Sequence, residues 1–182
     1  MPRVCVLLAN GFEEIEAITI VDVLRRAEVE VVTVSLGPNP VRGSHAVAVQ
    51  ADKDLNQALK ESWDMVILPG GMPGSTTLRD DARVQDLLKR QNKEGKKIGA
   101  ICAAPIALGK AGLLAGKKAT SYPGFESELP GAKYQEATVV RDGNIITSRG
   151  PGTAMEFSLQ LAADLKGQPA ADMLRKGMLV GS

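Results

Sequence analysis

Apolar residues gather in four short runs, at 4–8, 29–35, 65–68 and 98–101, each apolar almost throughout rather than alternating. Strands covered on both faces carry this pattern, because neither side of the pleat meets water. Between the runs the spacing lengthens toward the helical period. Ile15, Ile18, Val21 or Asp22, and Leu24 or Arg25 give a mixed face after the first run, and Val84, Leu87 and Leu88 repeat the spacing after the third. Thr153 and Glu156 stand three apart ahead of Leu161, Ala162 and Leu165, which predicts a capping box opening a helix whose buried side those three form. Strand and helix patterns in alternation predict an α/β fold, with helices covering both faces of a mainly parallel sheet.

Two hairpin-like insertions interrupt the alternation. VRGSHAVAVQ, residues 41–50, ends in an apolar-rich strand, and residues 138–141 are joined to 144–147 by Asp142-Gly143, a two-residue turn signal. Both are expected on the rims of the sheet. The 182 residues contain no internal repeat, low-complexity tract or Pro/Gly/Ser linker, so one domain over 1–182 is expected.

Charge narrows the partners. With 22 basic and 21 acidic residues the net charge is +1, which leaves no electrostatic footprint for specific nucleic-acid binding or for an anionic membrane surface. The longest apolar stretch, 98–108, falls well short of the roughly 18 to 20 residues that cross a bilayer. The start, MPRVCVLLAN, lacks the pattern of a secretory signal, and two cysteines inside apolar stretches do not make a disulfide framework. A soluble protein of the reducing cytoplasm is expected.

One of those cysteines, Cys102, lies between a strand pattern and the helical stretch 104–111, at the carboxyl end of the strand, where open α/β sheets bind their ligands. Ala100 and Ala104 flank it two positions away on either side, the small neighbours that a nucleophile on a sharp strand-to-helix turn requires. A sulfur facing a helix start is expected to ionise below the free value of about 8.5. Free cysteine is also a common core filler, and the letters alone leave both readings open. Cys5, mid-strand in VCVLL, reads as filler. His45 is the one histidine, and none follows Cys102, so a hydrolase with its catalytic histidine downstream of the cysteine is excluded within this chain.

Proton transfer then falls to another group. NGFEEIEA offers Glu13, Glu14 and Glu16 at the end of the first strand. Glu13 and Glu14 read as ordinary acidic partners of a first helical turn. Glu16, between Ile15 and Ala17, is expected to point inward, where desolvation and a nearby thiolate would keep it protonated near neutrality. LPGGMPGS, residues 68–75, lacks the lysine and spacing of a phosphate loop; the N–H groups of Gly71 and Ala103 could form an oxyanion hole over Cys102, or the glycines could serve only a tight turn. No metal is expected, because no cluster along the sequence has metal-ligand spacing.

NGFEEIEA, VILPGGMPG, GAICAAP and TSRGPGTAMEF stand in the order and approximate spacing of the DJ-one/PfpI superfamily, and the chain most resembles the branch of the Parkinsonism-associated protein deglycase and bacterial YajL. The resemblance runs over essentially the whole chain. It implies a homodimeric, flavodoxin-like three-layer sandwich that works without a cofactor. By position, Cys102 matches the oxidation-sensitive nucleophile and Glu16 its protonated carboxylate partner. Gly70, Gly71 and Ala103 match the surrounding backbone, and Pro151 and His45 the pocket residues expected from the other subunit. The activities implied are conversion of α-oxoaldehydes such as methylglyoxal to hydroxy acids and deglycation of protein or nucleotide adducts, with redox sensing and stress chaperoning as alternatives. Three positions depart from relatives: Tyr122 stands where some carry a histidine, His45 where others carry an arginine, and Ala103 where the protease-like branch has a histidine.

Overall fold

In the computed structural model, which describes residues 1–181, the chain runs through the elements the apolar pattern outlines. They are β1 (Arg3–Leu8), α1 (Glu14–Arg26), β2 (Glu30–Ser35), the short strands β3 (Val41–Arg42), β4 (Ala48–Val49) and β5 (Lys53–Asp54), α2 (Leu55–Ala58) and β6 (Met65–Leu68). Next come α3 (Gly74–Asp80), α4 (Ala82–Lys93), β7 (Lys97–Ile101), α5 (Pro105–Lys110), β8 (Lys118–Ala119) and β9 (Lys133–Tyr134). The chain closes with β10 (Val139–Asp142), β11 (Ile145–Ser148), α6 (Ala154–Lys166) and α7 (Gln168–Gly177).

Seven strands form one sheet in the order β10-β11-β7-β6-β1-β2-β5, parallel throughout except for the antiparallel β10–β11 edge pair. Side chains along β1 alternate between two separate cores. Cys5 and Leu7 join Trp63, Leu68, Leu87 and Leu88 beneath α2 to α5. Val4, Val6 and Leu8 join Phe12, Ile20, Leu24 and Phe157 beneath α1 and α6. The result is the flavodoxin-like α-β-α sandwich, and both cores explain why the strand sequences never alternate in polarity. Each fully buried side chain of this size contributes about 1.5–3 kcal/mol.

Four local expectations change. In α1 the inward face is Ala17, Ile20, Val21, Val23 and Leu24, while Ile15 and Ile18 are exposed, because two carboxylates, Glu14 and Glu16, occupy inward positions. The Thr153–Glu156 capping box does not form. Thr153 Oγ1 instead takes the N–H groups of Arg149 and Gly150 and meets Ser148 Oγ at 2.7 Å, and Glu156 pairs with Arg175. The 41–50 segment makes its own two-stranded ribbon, β3 with β4, apart from the main sheet. The second expected hairpin is present, but only β10 lies on the rim, since β11 pairs in parallel with β7.

Candidate active site

The carboxyl ends of β1, β6, β7 and β11 lie at the same edge of the parallel sheet. At the end of β7, Cys102 turns into the left-handed region with φ 64°. Such a backbone costs a non-glycine residue on the order of 1–3 kcal/mol and persists only where its surroundings fix it. They do so on both sides: the Cys102 N–H donates to Ser148 O at 3.0 Å, and its carbonyl accepts the N–H of Tyr122 at 2.8 Å. Ala100 and Ala104 are fully buried, so the small flanking residues are a packing requirement of the bend. The helix beyond, α5, begins at Pro105 and is short.

Glu16, one of the inward carboxylates of α1, is fully buried and reaches the same bend. Its Oε2 accepts the Gly70 N–H at 2.7 Å. Its Oε1 closes no hydrogen bond among the described residues, although the carboxyl group and the Cys102 sulfur are near enough to alter each other's ionisation. Burial raises the Glu16 carboxyl to about 7, a rise opposed by the Gly70 N–H and Cys102 and aided by the charge of Glu13. Near neutrality the group therefore holds its proton part of the time, in the direction expected from the sequence.

The sulfur departs from expectation. Burial, the charge of an ionised Glu16 and its readiness to accept the thiol hydrogen push the Cys102 thiol up to about 12, against the opposite pull of the Ala103 and Gly71 N–H groups. A short helix three residues away does not offset that burial. After burial, the raising contributions all come from ionised Glu16; a protonated Glu16 carries no charge and can donate to sulfur instead. The two groups thus titrate as a pair, and the state of one sets the other.

Gly70 and Gly71 make the approach possible. A Cβ on Gly70 would lie 2.5 Å from the Cys102 Cβ and 2.7 Å from Glu16 Oε2, and one on Gly71, whose φ is 91°, would lie 2.4 Å from Glu13 N and Gly11 O. Gly71 and Ala103 present their N–H groups to the sulfur, whereas Gly70 holds Glu16 and accepts the Glu13 N–H at 2.9 Å. The two glycines therefore differ in what they touch. Pro151 is half-buried and follows β11, and Tyr122 is exposed, with its backbone tied to Cys102. Cys5 is sealed inside β1.

His45 lies on the other side of the α1 start. Its ring Nδ1 is 3.0 Å from Glu14 Oε2 and 3.7 Å from Glu13 Oε1, and its side chain is 71% exposed. Glu14, expected to be an ordinary first-turn acid, is instead buried and binds the ribbon. Its Oε1 accepts the N–H groups of His45 at 2.7 Å and Val47 at 3.3 Å, and its Oε2 accepts the Ser44 hydroxyl at 3.2 Å. Burial alone would raise this carboxyl, but the His45 ring and the N–H groups of Glu14, His45 and Val47 outweigh it and hold the group at about 2. The only trace in the sequence is Gly43, where a Cβ would collide with Glu14 Oε1 at 2.2 Å.

The family model of the DJ-1/PfpI family matches residues 2–164. Protein dj-1beta of Drosophila melanogaster is 44% identical over 178 residues, covering 96% of this chain and 95% of that protein. The solved structure of Drosophila melanogaster DJ-1beta superposes with a TM-score of 0.96 at 43% identity, over 100% of this chain and 99% of the other. A glutathione-independent glyoxalase of Caenorhabditis elegans, DJR-1.2, is 36% identical over 165 residues, covering 90% of this chain and 88% of that protein.

Proposed function

The chain belongs to the DJ-1/PfpI family, and from that premise we propose that it is a cysteine-dependent enzyme acting without a cofactor on α-oxoaldehydes or their glycation adducts. The observation that carries the reading is the convergence of Cys102, Glu16 and the N–H groups of Gly71 and Ala103 at one strained bend. The likeness to a relative described as a glutathione-independent glyoxalase supports it.

The raised thiol changes the first step from attack by a standing thiolate to attack coupled with proton transfer. Ionised Glu16 accepts the thiol proton as sulfur bonds to the aldehyde carbon, and the proton passes to the new oxygen, giving a neutral hemithioacetal. Glu16 then removes the proton from the sulfur-bearing carbon and returns one to the neighbouring carbon. Two electrons move between adjacent carbons, and a hydroxyacyl thioester remains. Water cleaves that thioester to the hydroxy acid and restores the thiol, so no outside oxidant or reductant is needed. The N–H groups of Gly71 and Ala103, which act on the sulfur, would stabilise oxygen charge as it forms.

Lactate formation from methylglyoxal in wild type, Cys102→Ser and Glu16→Gln tests the reading. Loss of turnover in both variants is expected; turnover that survives Cys102→Ser rules the thiol mechanism out. A second reading, a redox sensor, is favoured by one observation: Cys102 is partly accessible while Cys5 is sealed. In that case mild peroxide adds two oxygens to Cys102 alone, and no lactate forms.

A homodimer belongs to the proposal. Exposed Ile15 and Ile18 on α1, with exposed Val47 beside Glu14, support it, and the Pro151 of a second copy would border the pocket. His45 is engaged with Glu14 of its own chain, which favours a role there over one in the opposite subunit's pocket. Sedimentation of wild type against Ile18→Lys checks the assembly, with a shift to monomer expected.

A further inference from the structure

We propose that Glu13, Glu14 and His45 form a binding site for a divalent transition-metal ion of the zinc class, where the 41–49 ribbon meets the start of α1. The fold assembles what the sequence separates. One ligand atom from each residue lies within 4.8 Å of the other two, although His45 is 31 residues from Glu14. His45 Nδ1 stands 3.0 Å from Glu14 Oε2 and 3.7 Å from Glu13 Oε1. Ligands bound at about 2.0–2.2 Å around a tetrahedral zinc ion stand about 3.3 Å apart, so small side-chain adjustments bring this set into coordination.

The surroundings already orient the ligands. Glu14 Oε1 is held by the N–H groups of His45 and Val47, and Glu13 Oε1 accepts from the Ile15 N–H at 3.4 Å. The Ser44 hydroxyl lies 3.4 Å from Glu13 Oε2 and 3.2 Å from Glu14 Oε2, and so contacts both carboxylates. Outer contacts of this kind fix ligand geometry and raise affinity. The imidazole and two carboxylates suit a borderline cation, their two negative charges balance its two positive ones, and the exposed side of His45 within one protomer leaves the fourth position to water or to a group of a second copy. The ion takes the place between Nδ1 and the carboxylates that a proton otherwise fills, and so fastens the ribbon to α1.

The test uses untagged full-length Cys102→Ser, which removes the accessible thiol as a rival ligand, titrated with zinc chloride by calorimetry. The same protein labelled with ¹⁵N-histidine gives an unambiguous ring spectrum, because the chain has one histidine. One zinc ion per chain is expected, with the perturbation centred on Nδ1. His45→Asn and Glu13→Gln should each weaken binding more than about a hundred-fold, and Ser44→Ala about 10- to 100-fold. Melting curves recorded without metal establish that each variant is folded. The proposal is overturned by a lack of saturable uptake, by uptake that His45→Asn leaves unchanged, or by coordination through Nε2.

Discussion

Glu14 and Glu16 sit two residues apart on one turn of α1, both buried, yet the first is held at about 2 and the second is raised to about 7. Burial alone would raise both. The difference lies in the donors each meets. Glu14 faces the ribbon, where two backbone N–H groups, a hydroxyl and an imidazole converge on it. Glu16 faces the end of β6 and receives one N–H, from Gly70, with a weakly donating thiol nearby. A carboxyl group in a protein interior is therefore a fixed anion or a proton carrier according to how many donors surround it. One helical turn supplies both kinds.

The largest effect that would sharpen this contrast is on turnover. Glu16→Gln keeps the shape but carries no transferable proton, and methylglyoxal turnover should fall about 100- to 10,000-fold. Glu14→Gln should leave turnover within a few-fold, and equal losses in both variants would erase the distinction. Next comes Gly70→Ala, whose added carbon must displace Cys102 or Glu16 and should lower stability by about 1–3 kcal/mol in denaturant unfolding. Glu14→Gln replaces a charged acceptor by a neutral one and should cost about 1–3 kcal/mol, read the same way.

The smallest effect is the most diagnostic, because its sign differs between the two groups. The depressed Glu14 contributes stability that is present above the ordinary carboxylate value of 4.5 and is lost as pH falls toward about 2. For the raised Glu16 the folded state holds the proton more tightly than the unfolded chain, so stability declines as pH rises from 4.5 through about 7. Melting temperatures across pH should lose the acid-side decline in Glu14→Gln and the neutral-side decline in Glu16→Gln. Parallel profiles for the two variants would contradict the account.

The sheet was readable in the sequence because unbroken apolar runs have few uses other than strands covered on both faces, and β1, β2, β6 and β7 lie where those runs predict. The bend at Cys102 was readable from Ala100 and Ala104, since only small side chains fit around it. The inward face of α1 was not. Its apolar letters include the exposed Ile15 and Ile18, and although Glu16 lies inward as expected, a pattern that counts the other acids of the turn as surface residues cannot find the burial of Glu14. The Thr153 hydroxyl was lost to neighbours in the β11 turn that no three-residue spacing reveals. Glu14 escaped because its donors lie some thirty positions along the chain, and the sulfur's titration because burial is a property of the assembled fold.

Glu14 and Glu16 reach different neighbours because each step along a helix rotates the side chain by about 100°, which sets the two on opposite flanks of α1, while Glu13, at the cap, shares the ribbon with Glu14. An inserted or deleted residue between Phe12 and Glu16 would turn the acids past their partners together, sending one toward solvent and another against a neighbour that offers it nothing. Lineages descended from this chain can therefore change letters in that stretch, but its length should resist drift more strongly than its spelling.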